Sequence, residues 1–296
     1  MSVICPTYHR EHYHANLYQA FAWQTHDNKE LLILDDSPQP SSFFLGLKDP
    51  QVKYFYSSTR LSIGAKRNYL NEKASGEIIA HFDDDDYYAP DYLSEMITQL
   101  RDFDLIKYSR WLAWRELDGT LWEWDTNYVT DFHYLVSGNG PSNILVKMCS
   151  PDDSLQKISQ WNQDNKWGYG FSYVYKKSMW ESCQFENING KEDIQFVKKA
   201  LALGKKISCV PDFKHLTLHR IHAKNTSHIF PQHQCSVQIL AKSAAPWLTN
   251  ILQEKIATKE HINQLFKPFL ESDPDVTTFI DNHHFDDYEI CTLGNG

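Results

Sequence analysis

Four acids in a row, Asp83-Asp84-Asp85-Asp86, follow His81-Phe82 and the apolar stretch Glu77-Ile78-Ile79-Ala80. Adjacent carboxylates repel one another, and a divalent cation would relieve that repulsion. Carboxylate oxygens are the ligands that hard ions such as Mg²⁺ and Mn²⁺ prefer. Read alone, the run also fits a solvated acidic turn. A second acidic pair, Asp35-Asp36, precedes Ser37-Pro38, where it can accept hydrogen bonds from a ligand or close an Asx turn. A third, Glu192-Asp193, opens a helical segment after Asn187-Ile188-Asn189-Gly190. An acid there can take a proton from a hydroxyl, or simply complement the helix dipole. Lys66, Arg67 and Asn68 fall in the first turn of another predicted helix, where free N–H groups favour an anion. His215, His219, His222 and His228 share one short segment. Neutral imidazole is a fair ligand for Mn²⁺, and surface histidines are the plain alternative.

These groups need elements to hold them. Residues 2–7, 30–34, 52–56 and 77–82 read as short strands. Helical patterns follow over 13–24, 63–74 and 91–100, and again over 192–203, where Ile194, Val197, Ala200 and Leu201 share one face and Gly204 is the stop. Strands alternating with helices imply βαβ units and a mostly parallel sheet. Thr7-Tyr8, Asp35-Asp36 and the acidic run all come at strand ends, so all three should line one edge of that sheet, where open α/β sheets bind ligands. Beyond 103 the text is less regular. Residues 104–117 read as a long strand, with Asp118-Gly119 turning into 121–124. Residues 139–143 and 151–167 are loop-rich, 170–180 is strand then turn, and 206–211 and 213–221 are strands. From about Cys235 the text is mostly helical.

The chain has 296 residues, 42% hydrophobic and 23% charged, which is ordinary for a soluble globular protein. The net charge is −9 with no basic run, which argues against tight nucleic-acid binding. The six cysteines form no C-x-x-C pair, which speaks against a zinc knuckle or a disulfide scaffold and fits a reducing compartment. Met1 runs directly into the first strand, leaving no room for a signal peptide, and no apolar stretch is long enough to span a bilayer. The expected location is cytoplasmic, with peripheral contact at the inner membrane face left open.

In order along the chain, Cys5-Pro6-Thr7-Tyr8-His9-Arg10, Leu34-Asp35-Asp36-Ser37, Ile63-Gly64-Ala65-Lys66-Arg67-Asn68, Phe82-Asp83-Asp84-Asp85-Asp86 and Lys191-Glu192-Asp193-Ile194-Gln195-Phe196 resemble the motifs of family-2 glycosyltransferases. The resemblance implies a GT-A (Rossmann-like) α/β fold with a central, mostly parallel sheet flanked by helices. It implies a catalytic domain over 1–232, with a nucleotide-binding half (1–103) and an acceptor half (104–232), and a mostly helical extension over 233–296. It implies transfer of a sugar, with inversion, from a nucleoside-diphosphate donor of the UDP type to a hydroxyl of a glycan, lipid-linked or small-molecule acceptor.

The residues carry over one by one. Asp85 is the main expected ligand of Mn²⁺ or Mg²⁺, Asp83 contacts the metal or the ribose, and His222, with His219 second, approaches the metal. Asp84, counted among the nucleotide-binding residues, should also point back toward the sheet, and Asp86 could hold a donor hydroxyl. Pro6, Thr7 and Tyr8 wall the base pocket, and Arg10 counters the phosphates. One of Asp35 and Asp36 contacts the base or ribose. Lys66, Arg67 and Asn68 face the diphosphate. Asp193 is the expected general base, with Glu192 orienting the acceptor. Trp161, Trp167, Tyr169 and Phe171 are an acceptor platform or core, and Trp111, Trp114, Trp122 and Trp124 share that ambiguity. The chain departs from the family where Ser37-Pro38 replaces the usual Gly-Ser, and it lacks the Q-x-x-R-W stretch of processive synthases. A sugar-nucleotide pyrophosphorylase and a non-catalytic carbohydrate-binding protein are the competing readings.

Overall fold

The computed structural model describes residues 1–116, 120–126, 166–222 and 225 with their side chains, and residues 134–137, 145–148, 229–230 and 233–235 as backbone. The chain forms two units, Met1–Ser109 with Gln163–Pro211, and Arg110–Asn162 with Asp212–Gly296.

The first unit is built on parallel strands β1 (Ser2–Thr7), β2 (Glu30–Asp35), β3 (Val52–Tyr56) and β4 (Ile78–His81), in the spatial order β4-β1-β2-β3. Residues of β1 and β2 are buried on both faces, which is why they read as continuous apolar runs rather than alternating ones. The register pairs Thr7 with Asp35 and Ile4 with His81. The C-terminal ends of β1, β2 and β4 therefore share one edge of the sheet. Beyond β4 the sheet turns antiparallel through β10 (Val174–Lys176), which also pairs with the start of β6 (Leu105–Arg115), and β11 (Ile207–Pro211) pairs with β6 as well. The sheet is thus mixed, parallel through β4-β1-β2-β3 and antiparallel where β10 joins.

Helices α1 (Glu11–Ala22), α3 (Ile63–Lys73) and α6 (Glu192–Ala202) match predicted segments to within a turn. Ser62 caps α3 by accepting from the Ala65 amide. Gly64 is fixed by close approach, since a Cβ there would sit 1.8 Å from the Glu186 carbonyl. Ile4, Leu32, Leu70, Tyr175, Phe196 and Val197 belong to one buried cluster that joins sheet, α3 and α6. Two short helices were not expected, α2 (Ser42–Gly46) and α5 (Lys177–Ser182); each is too short to show a helical period. Between them, α4 (Tyr92–Leu100) follows the two-residue strand β5 (Tyr87–Tyr88).

Glu30 ties the far end of this sheet together. Its carboxylate accepts from Ser2 Oγ, the Ser75 amide and hydroxyl, and Lys53 Nζ. Burial alone would raise its pKa, but the hydrogen bonds from Lys53, Ser2 and Ser75 outweigh it and lower it to about 2. A depressed acid stabilises the fold above its unfolded pKa and loses that contribution as pH falls through the folded value. Urea unfolding is therefore expected to weaken by on the order of 2 kcal/mol between roughly pH 5 and pH 2 through this group. The Glu30→Gln variant should start less stable and show a flatter pH dependence; an unchanged slope contradicts this account.

The second unit has β7 (Thr120–Asp125) antiparallel to the later residues of β6, β12 (Thr217–Ile221) parallel to them, and β14 (His233–Cys235) on β7. Between β7 and β12 in the chain, β8 (Tyr134–Ser137) and β9 (Leu145–Met148) form a separate small sheet with β13 (Ile229–Phe230). The strand expected from 213 begins instead at Thr217. The Asp212 carboxylate accepts from the Leu216 and Thr217 amides and the Thr217 hydroxyl, closing a turn first. Cys235 is a strand residue rather than the start of a helix. Residues 236–296, which carry the rest of the expected helical extension, lie outside the described residues, as do Trp161 and His228.

Candidate active site

At the tip of β4, Asp83, Asp85 and Asp86 bring carboxylate oxygens within 4.8 Å of one another. Three hard oxygen donors converging this closely fit Mg²⁺ or Mn²⁺. Asp84 turns the other way, at the corner of a tight turn that the Asp86 amide closes on the Asp83 carbonyl, rather than by the alternation of an extended segment. It accepts from Thr7 Oγ1 at 2.5 Å, and burial, with Asp85 adding to it, holds its pKa well above the ordinary carboxylate range. Thr7 in turn meets His14, whose other ring nitrogen meets Ser41 at 2.8 Å, so the end of β1 is fixed from beneath. Arg10 Nη1 lies 2.5 Å from Asp85, a guanidinium drawn to the acid cluster.

The second acid pair is largely engaged by the protein. Asp36 accepts from Lys66 Nζ at 2.8 Å, from Arg60 on both oxygens at 2.6 Å, and from the Leu61 amide. Lys66 also donates to the Thr7 carbonyl. Burial would raise the pKa of Asp36, but these donors hold it below its ordinary value. Asp35 accepts from the Ser37 amide and hydroxyl and from Tyr54, the Asx-turn geometry that the sequence left as an alternative. Arg60 stacks on Tyr8, its guanidinium carbon 3.4 Å from the ring centroid.

Lys66 and Arg67 are both buried, so neither is a solvated surface cation. Arg67 donates to Glu192 Oε1 at 2.7 Å and is influenced electrostatically by Glu192, Asp83 and Asp193 together. Burial raises the pKa of Glu192 against the pull of Arg67. Asp193, in the first turn of α6, accepts from its neighbour Ile194 N and from Gly170 N at 3.0 Å. Lys191 and Gly190, at φ 65° and 77°, turn the chain into that helix. Asn68 donates to the Phe185 carbonyl and accepts from the Phe185 amide and Trp180 Nε1, clamping the segment that leads to α6. His222, at the end of β12, belongs to the second unit, and its amide donates to Asn225 Oδ1.

The sequence reading missed Lys107, His81, Tyr88 and Gly170. Lys107 is fully buried and donates to the Lys166 and Gly168 carbonyls at 2.8 and 2.6 Å, and burial lowers its pKa to about 8. A lone lysine in the apolar strand Leu105-Ile106-Lys107-Tyr108 was the available signal. His81 meets the Gly170 carbonyl at 2.9 Å and the Tyr175 hydroxyl at 3.2 Å. Phe171 is buried and Trp167 packs against the core, as do the buried rings of Trp111, Trp114, Trp122 and Trp124 within their unit.

A mixed sheet flanked by helices, with acids massed on the edge where its parallel strands end, is the GT-A architecture of glycosyltransferases. Residues 2–139, just under half of the chain, match the model of glycosyl transferase family 2. An uncharacterised glycosyltransferase of Haemophilus influenzae is 29% identical over 144 residues, 47% of this chain and 58% of its own length. The mannosyltransferase PcManGT of Pyrobaculum calidifontis, solved with GDP-Man and Mn²⁺, superposes with a TM-score of 0.52 at 16% identity, over 77% of this chain and 58% of that one. S. aureus TarS 1–349, solved with UDP-GlcNAc, gives 0.52 at 19% identity, over 77% and 59%. The chain thus spans less than two thirds of the relatives and structures named here. Among the described residues no helix is long and apolar enough to cross a membrane.

Proposed function

We propose that the protein transfers a sugar, with inversion at the anomeric carbon, from a UDP-sugar to an acceptor hydroxyl. Asp193 takes the hydroxyl proton as the acceptor oxygen attacks the anomeric carbon. The bond from that carbon to the diphosphate breaks, and UDP leaves with the electron pair. One base and one displacement suffice for inversion. Glu192, held by Arg67, orients the acceptor beside Asp193. Asp83, Asp85 and Asp86 would hold a Mg²⁺ or Mn²⁺ ion, which when bound supplies Lewis-acid neutralisation of the diphosphate charge. Thr7 and Tyr8 line the nucleotide side, where Lys66 and Arg60 keep Asp36 ionised.

The observation that carries this reading is Arg67, which feels Asp83 of the acid cluster and both acids of α6 at once. That supports reading the donor-holding and proton-accepting groups as parts of one site. The Haemophilus relative, PcManGT and TarS add weight as neighbours in fold or family, and the latter two were solved with nucleotide sugars. The test is a titration of UDP in Mn²⁺, followed by assay of UDP release from UDP-glucose and UDP-GlcNAc. Binding that EDTA abolishes, with slow release in the absence of acceptor, is expected. Failure to bind UDP together with no release from either sugar overturns the proposal.

A further inference from the structure

The three-residue turn Gly170–Ser172 touches both halves of the site. On one side, the Gly170 amide donates to Asp193 Oδ2 at 3.0 Å. On the other, the Phe171 carbonyl accepts from the Tyr88 hydroxyl at 3.0 Å, and the Tyr88 hydroxyl oxygen itself accepts from the Asp83 amide at 2.9 Å. From below, His81 meets the Gly170 carbonyl at 2.9 Å. A carbonyl only accepts, so the imidazole Nδ1 carries the proton. Tyr88 and His81 are buried to 1% exposure, and Tyr88 is stacked on Phe82 with ring centroids 3.8 Å apart. Gly170 is hemmed in, since a Cβ there would lie 3.2 Å from both Arg67 and the Asp193 Cβ.

We propose that this turn is a brace that sets the position of Asp193 relative to the Asp83 loop, with Tyr88 and His81 as its positioning residues. Neither side chain needs to touch a substrate. Tyr88 carries the constraint from the Asp83 amide to the Phe171 carbonyl, and the backbone of the turn delivers it through the Gly170 amide to Asp193. Buried hydrogen-bonded links of this kind are stiff because leaving any member unpaired is costly. Small misplacements of a reacting group slow chemistry far more than they weaken binding. The inference rests on the proposed transferase reading for its catalytic consequence, but the brace has a physical readout of its own.

The Tyr88→Phe variant removes one oxygen and keeps the ring stacked on Phe82. Amide hydrogen exchange at Gly170 is expected to speed up about tenfold, although the substitution does not touch that amide. With UDP-glucose or UDP-GlcNAc, whichever the wild type cleaves, kcat for UDP release is expected to fall by about tenfold or more, while UDP affinity in Mn²⁺ stays within about threefold. Unchanged exchange at Gly170 overturns the brace. So does unchanged kcat, or a loss explained entirely by weaker UDP binding. Should Tyr88→Phe fail to fold, His81→Asn and His81→Leu replace it. Asn keeps an N–H near the imidazole Nδ1, so it should retain kcat and slow exchange where Leu does not, and equal behaviour overturns the proposal. A wild type that releases no UDP counts against the transferase reading alone, and the exchange measurement then still decides the brace.

Discussion

Asp193→Asn is expected to cut sugar transfer by about a thousandfold, within the range that general bases contribute, while UDP binding in Mn²⁺ is retained. Asparagine has nearly the same shape and keeps one oxygen for the Ile194 amide. Its amide nitrogen cannot accept a proton, however, and it cannot accept the hydrogen bond that Gly170 donates to Oδ2. The fold should lose on the order of 1 kcal/mol from that contact, a small shift in melting temperature beside the loss of turnover. Asp193→Glu keeps the charge but lengthens the arm inside a site closed by Gly170, so an intermediate loss is expected. Calorimetry with UDP and Mn²⁺ checks binding, and an acceptor-dependent assay checks turnover. Were Asp193→Asn to keep more than about a tenth of the wild-type kcat, the proton would have to leave by another group.

The legible parts of this molecule were those set by local chemistry. Strands β1, β2 and β4 are apolar runs, and the helices read between β1 and β2 and between β3 and β4 point to parallel crossovers. That three acidic or polar features end three of those strands was enough to gather them on one edge, and the register of Thr7 with Asp35 places them there. Less legible was what long-range pairing decides. Nothing near Lys66 in sequence says that its ammonium is buried against Asp36, 30 residues earlier. Nothing near Asn68 says that it clamps Phe185 across 117 residues. The turn at Gly170 reads in sequence as the start of a strand among aromatics, because its meaning lies in partners at His81, Tyr88 and Asp193. The sheet's change to antiparallel at β10 was hidden for the same reason: a three-residue strand has too short a pattern to declare its direction.

Asp85→Asn is the sharper test of the acid cluster, because it separates binding from stability. Asp83, Asp85 and Asp86 repel one another across less than 4.8 Å, and burial already drives Asp84 toward its neutral form with Asp85 adding to the cost. Removing the Asp85 charge relieves that repulsion, and it also gives up the Arg10 contact at 2.5 Å. The pair is largely buried, its side chains 15% and 8% exposed, so its loss costs more than that of a surface bridge, and the relieved repulsion among the acids works against that cost. In EDTA the variant should therefore melt within a few degrees of the wild type. A metal that binds only the folded state adds stability as RT ln(1 + [L]/Kd), about 2.7 kcal/mol at a hundred times Kd. That increment is expected for the wild type in Mn²⁺ with UDP and should be largely lost in Asp85→Asn. UDP release should fall with it by at least about a hundredfold, as the diphosphate charge goes unneutralised. A Mn²⁺-dependent rise in melting temperature that survives Asp85→Asn undiminished means that the ion is held elsewhere. A variant that instead melts far below the wild type in EDTA means that the Arg10–Asp85 pair, rather than repulsion among the acids, dominates the unliganded site.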